Sequence, residues 1–291
     1  MTNAARDVDR GDLIRIGDVD LWVDVVGSGD PVVLLAGADA PGFRWHPGFV
    51  DALIADGFEV VRFDHRDCGR STILGPDAGY LLDDLAGDVV GLLDHLGWER
   101  AHLIGRSMGG MVAQVAALDH PDRVESLTLI GSTPGVDDDR LPGPDEEFVD
   151  TMVRRLFAGP PDDEPGRIDW LVELAELMAG DAFAFDRPEA ALLARAELLT
   201  GWRPESGHGA AAYGSPSRVD RLVEITHPTL VVHGTADPVL PIEHGRALAH
   251  GIDGAVLVEV DGLGHETPAP MLAALEPVIV EHLRNASPPR P

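Results

Sequence analysis

Apolar positions run along this chain in two rhythms. "LIRI" and "VDLWVDVV" are short, rich in β-branched residues and separated by "GD", which predicts two strands joined as a hairpin. "PVVLLAG" is a continuous apolar run ending in glycine, the pattern of a strand covered on both faces. "PGFVDALIADG" instead spaces its apolar residues by three and four and stops at Gly57, which predicts a helix. The rhythms then alternate: strand "FEVVRFD", helix "YLLDDLAGDVVGLLDHLG" closed by Gly97, strand "AHLIGRS", helix "GGMVAQVAALDHP" and strand "VESLTLIGS".

Strand and helix in alternation predict an α/β fold, a mostly parallel sheet with helices on both faces. The alternation halts after Thr133. "DEEFVDTMVRRLFAG", "RIDWLVELAELMAG" and "RPEAALLARAELLTGW" predict three helices separated by Pro, Gly and Asp. It resumes with strand "HPTLVVHG", a helix near "IEHGRALAHG", strand "GAVLVEV" and a last helix, "APMLAALEPVIVEHL". The expected organisation is an eight-stranded sheet core from residues 1–133 and 225–291, with a helical insertion over 134–224. Ligand sites in such sheets lie past the carboxyl ends of the strands, where this insertion emerges, so it reads as a lid.

Composition narrows the partners. The 291 residues carry a formal net charge of −28, with 50 Asp and Glu against 22 Lys and Arg. Such a field repels phosphate backbones and anionic membrane surfaces, so neither nucleic acid nor membrane is expected as a partner. The acidic clusters "VDDDR" and "PPDDEP" read as solvated surface. A single cysteine, Cys68, allows no intrachain disulfide; the N-terminal "MTNAARDVDRGDL" has no apolar signal core, and no apolar run approaches the roughly 18 residues of a membrane span. A cytoplasmic protein is the expectation, with a homodimer left open. The Pro-rich end "NASPPRP" is expected to fray.

Gly105-Arg106-Ser107-Met108-Gly109 is a G-x-S-x-G sequence between a predicted strand and a predicted helix. Glycines flanking the serine allow a very tight turn that lifts the hydroxyl above the sheet, at a helix start whose amides favour negative charge. A phosphate loop does not fit, because neither G-x-x-x-x-G-K-[ST] nor G-x-G-x-x-G is present. A serine nucleophile needs a base and an orienting acid, and in this strand-turn-helix context the acid and then the histidine follow downstream. His265, in the glycine-rich "VDGLGHE" after the strand "AVLVEV", is the candidate base. His233 falls at a strand end, His227 precedes a proline, and His244, His250 and His282 fit helical faces instead. Asp237, in the loop after "TLVVHG", is the candidate acid, with Asp261 as its competitor. The oxyanion would rest on the amides of Met108 and, from the turn Ala36-Gly37-Ala38, of Ala38.

Together "LLAGA", "FDHRDCGRS", "GRSMGG", "ALDHPDRVESLTLIG", "PTLVVHGTADPVLP" and "GLGHE" resemble the α/β-hydrolase superfamily over almost the whole chain outside the insertion. "LWVD", "RFDHRDCGRS" and "ALDHPDRVESLTL" are most similar to aclacinomycin methylesterase and related actinobacterial esterases, which act on methyl esters of aromatic polyketides. The resemblance implies the α/β-hydrolase fold, Ser107 as nucleophile, Asp237 as orienting acid, His265 as base, and Ala38 and Met108 at the oxyanion positions. Two features depart from it. Ala36-Gly37 stands where many relatives have His-Gly, and the charged Arg106 precedes the nucleophile, either buried and paired or touching substrate. Asp64, Arg66 and Ser71 are expected to brace the site, while Cys68 is not expected to act as a nucleophile.

The expected activity is hydrolysis of an uncharged or cationic apolar small-molecule ester through an acyl-enzyme, with no metal or organic cofactor. Phe43, Trp45, Trp170, Phe183, Phe185 and Trp202 are candidate pocket residues. The same triad would also serve C–C bond, lactone or amide and imino-peptide hydrolysis, or cofactor-free perhydrolysis. A non-catalytic binding protein on the same fold is a third reading.

Overall fold

The structure, a computed structural model, describes residues 10–287; the first nine residues and the last four of the Pro-rich tail lie outside the described residues. The expected hairpin forms, β1 (Asp12–Ile16) pairing antiparallel with β2 (Val19–Gly27). The strands β3 (Asp30–Leu35), β4 (Phe58–Phe63), β5 (Ala101–Arg106), β6 (Val124–Ile130), β7 (Thr229–Gly234) and β8 (Val256–Val260) complete one eight-stranded sheet. Its order is β1-β2-β4-β3-β5-β6-β7-β8. β2 meets β4 antiparallel, and every later pairing is parallel.

Pleating explains why the central runs are apolar throughout. Val33 and Leu35 of β3, Leu103 of β5 and Val231 of β7 face one layer; Val32 and Leu34, Ile104, and Leu230 and Val232 face the other. The first layer is filled by α2 (Leu82–Leu96), α3 (Met108–Asp119) and α8 (Ile242–Gly251). The second is filled by α1 (Pro47–Ala55) and α9 (Ala269–Ala286). Each fully buried Val or Leu in these layers contributes about 1.5–3 kcal/mol relative to exposure. β8, at the sheet edge, is only partly covered.

Four α-helices, not three, lie between β6 and β7, α4 (Glu146–Ala158), α5 (Glu164–Met178), α6 (Arg187–Leu199) and α7 (His208–Gly214), followed by a short 3-10 helix at Val219–Glu224. α7 has only seven residues and a glycine at its second position, too short for a periodic signal. The acidic residues of this region are more than solvated surface. Asp145, Asp163 and Asp186 cap α4, α5 and α6 by accepting hydrogen bonds from first-turn amides. Asp138 of "VDDDR" accepts from Arg140 and from the Ser217 hydroxyl. α5 and α6 pack on each other around Ile168, Val172 and Ala194.

Candidate active site

Ser107 stands between β5 and α3 with φ 52° and ψ −121°, a left-handed conformation that a non-glycine residue adopts only under constraint. The constraint is steric crowding on both sides. A Cβ at Gly105 would lie 2.4 Å from the Gly109 carbonyl oxygen, and one at Gly109 would lie 2.3 Å from that of Leu35. The turn is anchored by the Ser107 amide donating to Ile130 O at 2.9 Å and by the Ser132 hydroxyl donating to Ser107 O at 2.8 Å.

β7 and β8 deliver two more groups to the same point. Asp237 follows β7, and its Oδ1 accepts from the amides of Val239 and Leu240, both at 2.9 Å. Its Oδ2 lies 2.7 Å from His265 Nδ1, and His265 Nε2 lies 2.9 Å from Ser107 Oγ. A carboxylate only accepts, so Nδ1 carries the hydrogen and Nε2 is left to accept the serine proton. Burial alone would raise the Asp237 pKa, yet the facing His265 imidazole and the Leu240 amide hold it below the usual carboxylate value. The competitor Asp261 is elsewhere, accepting the Thr235 hydroxyl at 3.1 Å. His233 packs behind Asp237 and bonds the Leu240 carbonyl through Nε2 at 2.7 Å. His244, set aside with His233, is buried between Thr133 Oγ1 and Pro142 O.

The turn after β3 comes close to the serine: a Cβ on Gly37 would lie 3.4 Å from Ser107 Cβ. Ala38 follows, and neither its amide nor that of Met108 has a hydrogen-bond acceptor among the described residues. Asp39 next takes φ 59°. Its amide donates to His208 Nδ1 at 2.9 Å, and its carboxylate accepts the Ser206 hydroxyl. His208 Nε2 bonds Arg66 O at 2.7 Å, so the start of α7 is tied to the turn and to the loop after β4 at once. That loop is braced much as expected. Asp64 accepts from the amides of Gly42 and Arg70, Ser71 donates to Asp64 O, and Arg66 grips Asp88 with two bonds of 2.8 and 2.7 Å. Burial pushes the Asp64 carboxyl up to about 6 despite those amides. It pushes the buried Cys68 thiol well above its ordinary range, against any nucleophilic role.

A cavity of about 350 Å³ opens above Ser107 and His265, walled on the far side by α4, α5 and α6. Trp170 and Trp202 line it as expected, together with Met152 and Leu174. Phe43, Phe183 and Phe185 line instead a second cavity of about 650 Å³ between α6 and the starts of α1 and α9. Trp45 lines neither; it is buried in the core with its ring 5.9 Å from Phe49. Arg106 is paired: its Nη2 donates to His265 O at 2.9 Å and lies 3.4 Å from Glu266 Oε2, while the side chain borders the cavity. Sequence reading missed Arg44, Glu197 and Glu266, three further charged residues on the same wall, and it missed His208. Among the described residues no three His, Cys, Asp or Glu side chains converge so as to hold a metal ion. Among the same residues no helix is long and apolar enough to cross a membrane.

Comparison with known proteins agrees with this fold. The family model described as the alpha/beta hydrolase fold matches residues 30–268. Rhodomycin D methylesterase DnrP of Streptomyces peucetius is 32% identical over 309 residues, spanning 94% of this chain and 98% of its own. Rhodomycin D methylesterase DauP of Streptomyces sp. strain C5 is 33% identical over 307 residues, with the same coverage of each chain. Among solved structures, an esterase from Exiguobacterium antarcticum superposes with a TM-score of 0.78 at 24% identity, over 94% of this chain and 99% of that one. With a family model spanning most of its length and relatives above 30% identity, the chain belongs to the alpha/beta hydrolase fold family.

Proposed function

We propose that the protein hydrolyses carboxylic esters of bulky apolar acids, methyl esters among them, through an acyl-enzyme on Ser107. The observation that carries this reading is the unbroken line from Asp237 Oδ2 through the His265 imidazole to Ser107 Oγ at the start of α3. The methylesterase names of the two relatives support the ester and its small alcohol.

In this reading Ser107 Oγ attacks the ester carbonyl as its proton passes to His265 Nε2. The amides of Ala38 and Met108 take the tetrahedral oxygen, helped by the positive end of α3. His265 returns the proton to the departing alcohol. Water then attacks the acyl-enzyme, giving its proton to the same nitrogen, and the acid leaves as Ser107 is restored. Asp237 keeps Nδ1 protonated and offsets the charge on the imidazolium. No cofactor enters the route.

Residues 134–224 act in this reading as the cap over the core, a role supported by the cavity that core and insertion wall together. Trp170, Trp202, Leu174 and Met152 suit an apolar acyl group, and a chain of net charge −28 disfavours an anionic substrate. The single cysteine is in keeping with the cytoplasm.

The test is a panel of methyl esters, from acetate to fused-ring aromatic acids, followed by mass detection of the free acid. Release from the bulky esters, lost in Ser107→Ala, is expected. Turnover that survives Ser107→Ala, or no turnover of any ester, sinks the reading.

A further inference from the structure

Four charged side chains meet beside the reacting groups. Arg44, on the turn before α1, lies with Nη1 3.1 Å from Glu197 Oε1 of α6 and with Nη2 3.1 Å from Glu266 Oε2. Glu266 directly follows His265, and its Oε2 is also 3.4 Å from Arg106 Nη2. Arg106 precedes Ser107 and donates to the backbone carbonyl of His265 at 2.9 Å. The side chains are 18% exposed for Arg44, 10% for Glu197, 14% for Glu266 and 11% for Arg106.

We infer that Arg44, Glu197, Glu266 and Arg106 form a positioning chain through which helix α6 of the insertion sets the place of the His265 loop. The inference rests on the reading of His265 as the base. Two charges of each sign, so little hydrated, hold together because any one left alone would be a buried, uncompensated ion. Displacing Glu197 therefore loosens Arg44, which shares Glu266 with Arg106, and Arg106 holds the carbonyl of the base.

A second grip from the insertion acts on the same loop. The amide of His265 donates to Met178 O at 2.6 Å, and that of Gly264 donates to Ala179 O at 3.0 Å, both at the end of α5. The approach is so close that a Cβ on Gly264 would lie 2.1 Å from Met178 O. α5 and α6 pack on each other, so a shift of this pair of helices moves both anchors of the loop. The electrostatics agree in direction. Burial opposes the charge on Glu266, but Arg106 and Arg44 keep it a carboxylate below its usual range; burial outweighs Arg44 at Glu197 and raises that carboxyl.

None of the four is given a proton to transfer, and Glu197 contacts neither Ser107 nor His265. Their effect is on the alignment of His265 Nε2 with Ser107 Oγ, to which a displacement of about 1 Å can cost of the order of a hundredfold in rate.

The test compares wild type with Glu197→Gln and with Arg44→Met, using p-nitrophenyl acetate, an ester too small to span the cavity. kcat is expected to fall about tenfold in each with KM within about twofold, and Arg44→Lys to recover most of the loss from Arg44→Met. The double variant Arg44→Met/Glu197→Gln removes one charge of each sign, so it leaves no extra buried ion should a single variant fold poorly. Proton NMR of the His265 Nδ1–H resonance gives a readout free of turnover, and the resonance is expected to move or broaden in Glu197→Gln. An unchanged resonance, with kcat within twofold of wild type in a folded Glu197→Gln, overturns the inference. If wild type hydrolyses no ester, the hydrolase reading fails separately and the resonance still decides the role of the chain of charges.

Discussion

His208 Nδ1 accepts the Asp39 amide hydrogen at 2.9 Å, so a residue of the insertion holds the turn whose preceding residue, Ala38, lines the cavity. The imidazole reaches this position because its Nε2 is fixed on Arg66 O. Asp39, at φ 59°, has little intrinsic preference for its conformation and depends on such bonds. His208→Ala is therefore expected to lower kcat for ester hydrolysis by about tenfold or more while KM changes little, as for the loss of alignment of one oxyanion donor. Steady-state kinetics on a purified, folded variant checks it.

Asp237→Asn keeps the shape of the acid but can present an N–H to His265 Nδ1. The imidazole would then turn to the tautomer with hydrogen on Nε2, which cannot accept the Ser107 proton. kcat is expected to fall by about four orders of magnitude, with thermal stability altered far less. A loss below about tenfold would point to another acid.

Two glycine-to-alanine changes should move stability in opposite directions. At Gly109 the added Cβ would meet Leu35 O at 2.3 Å and Ala36 O at 2.6 Å, both backbone atoms that cannot step aside. Gly109→Ala is expected to destabilise by about 3 kcal/mol. At Gly87, inside α2, a Cβ meets nothing within 4 Å, so Gly87→Ala is expected to stabilise by about 0.5–1 kcal/mol. Urea unfolding curves of the two variants measure both.

Acid should weaken the fold through buried histidine. Burial lowers the His102 pKa from 6.5 to about 4, with both ring nitrogens in hydrogen bonds to Ser126 and Ser287. The folded pKa lies below the unfolded one, so between these values the unfolded chain binds the proton more tightly. The stabilisation is fully present above about pH 6.5 and is lost as pH falls through about 4, by an amount of the order of 3 kcal/mol. His65, lowered to about 3 chiefly by burial, acts in the same sense. Urea unfolding at pH 7 and pH 5 should show the loss, and His102→Gln should reduce its slope.

Much of the site was legible because its residues obey local rules. Ser107 announces itself by the two glycines its turn requires, Asp237 by following the buried strand β7, and His265 by following the edge strand β8 in a glycine-rich loop. The eight strands were legible from continuous or alternating apolar runs, β7 and β8 included. What was not legible depends on distance across the fold. Glu197 sits on a helix that the sequence predicts, but nothing local says that its side chain will meet Arg44, Glu266 and Arg106 at one wall. His208 belongs to a helix too short and glycine-rich to register, yet it closes the turn beside Ala38. Trp45 looked like a pocket residue by type alone, and only packing shows that its ring is stacked on Phe49 within the core.

The most direct test of the account is where a fluorophosphonate probe lands. Mass spectrometry of the labelled protein should find one adduct, on Ser107, at a rate that falls sharply in Asp237→Asn and with no adduct in Ser107→Ala. An adduct on another residue, or labelling that persists in Ser107→Ala, would contradict the claim that Ser107 is the nucleophile.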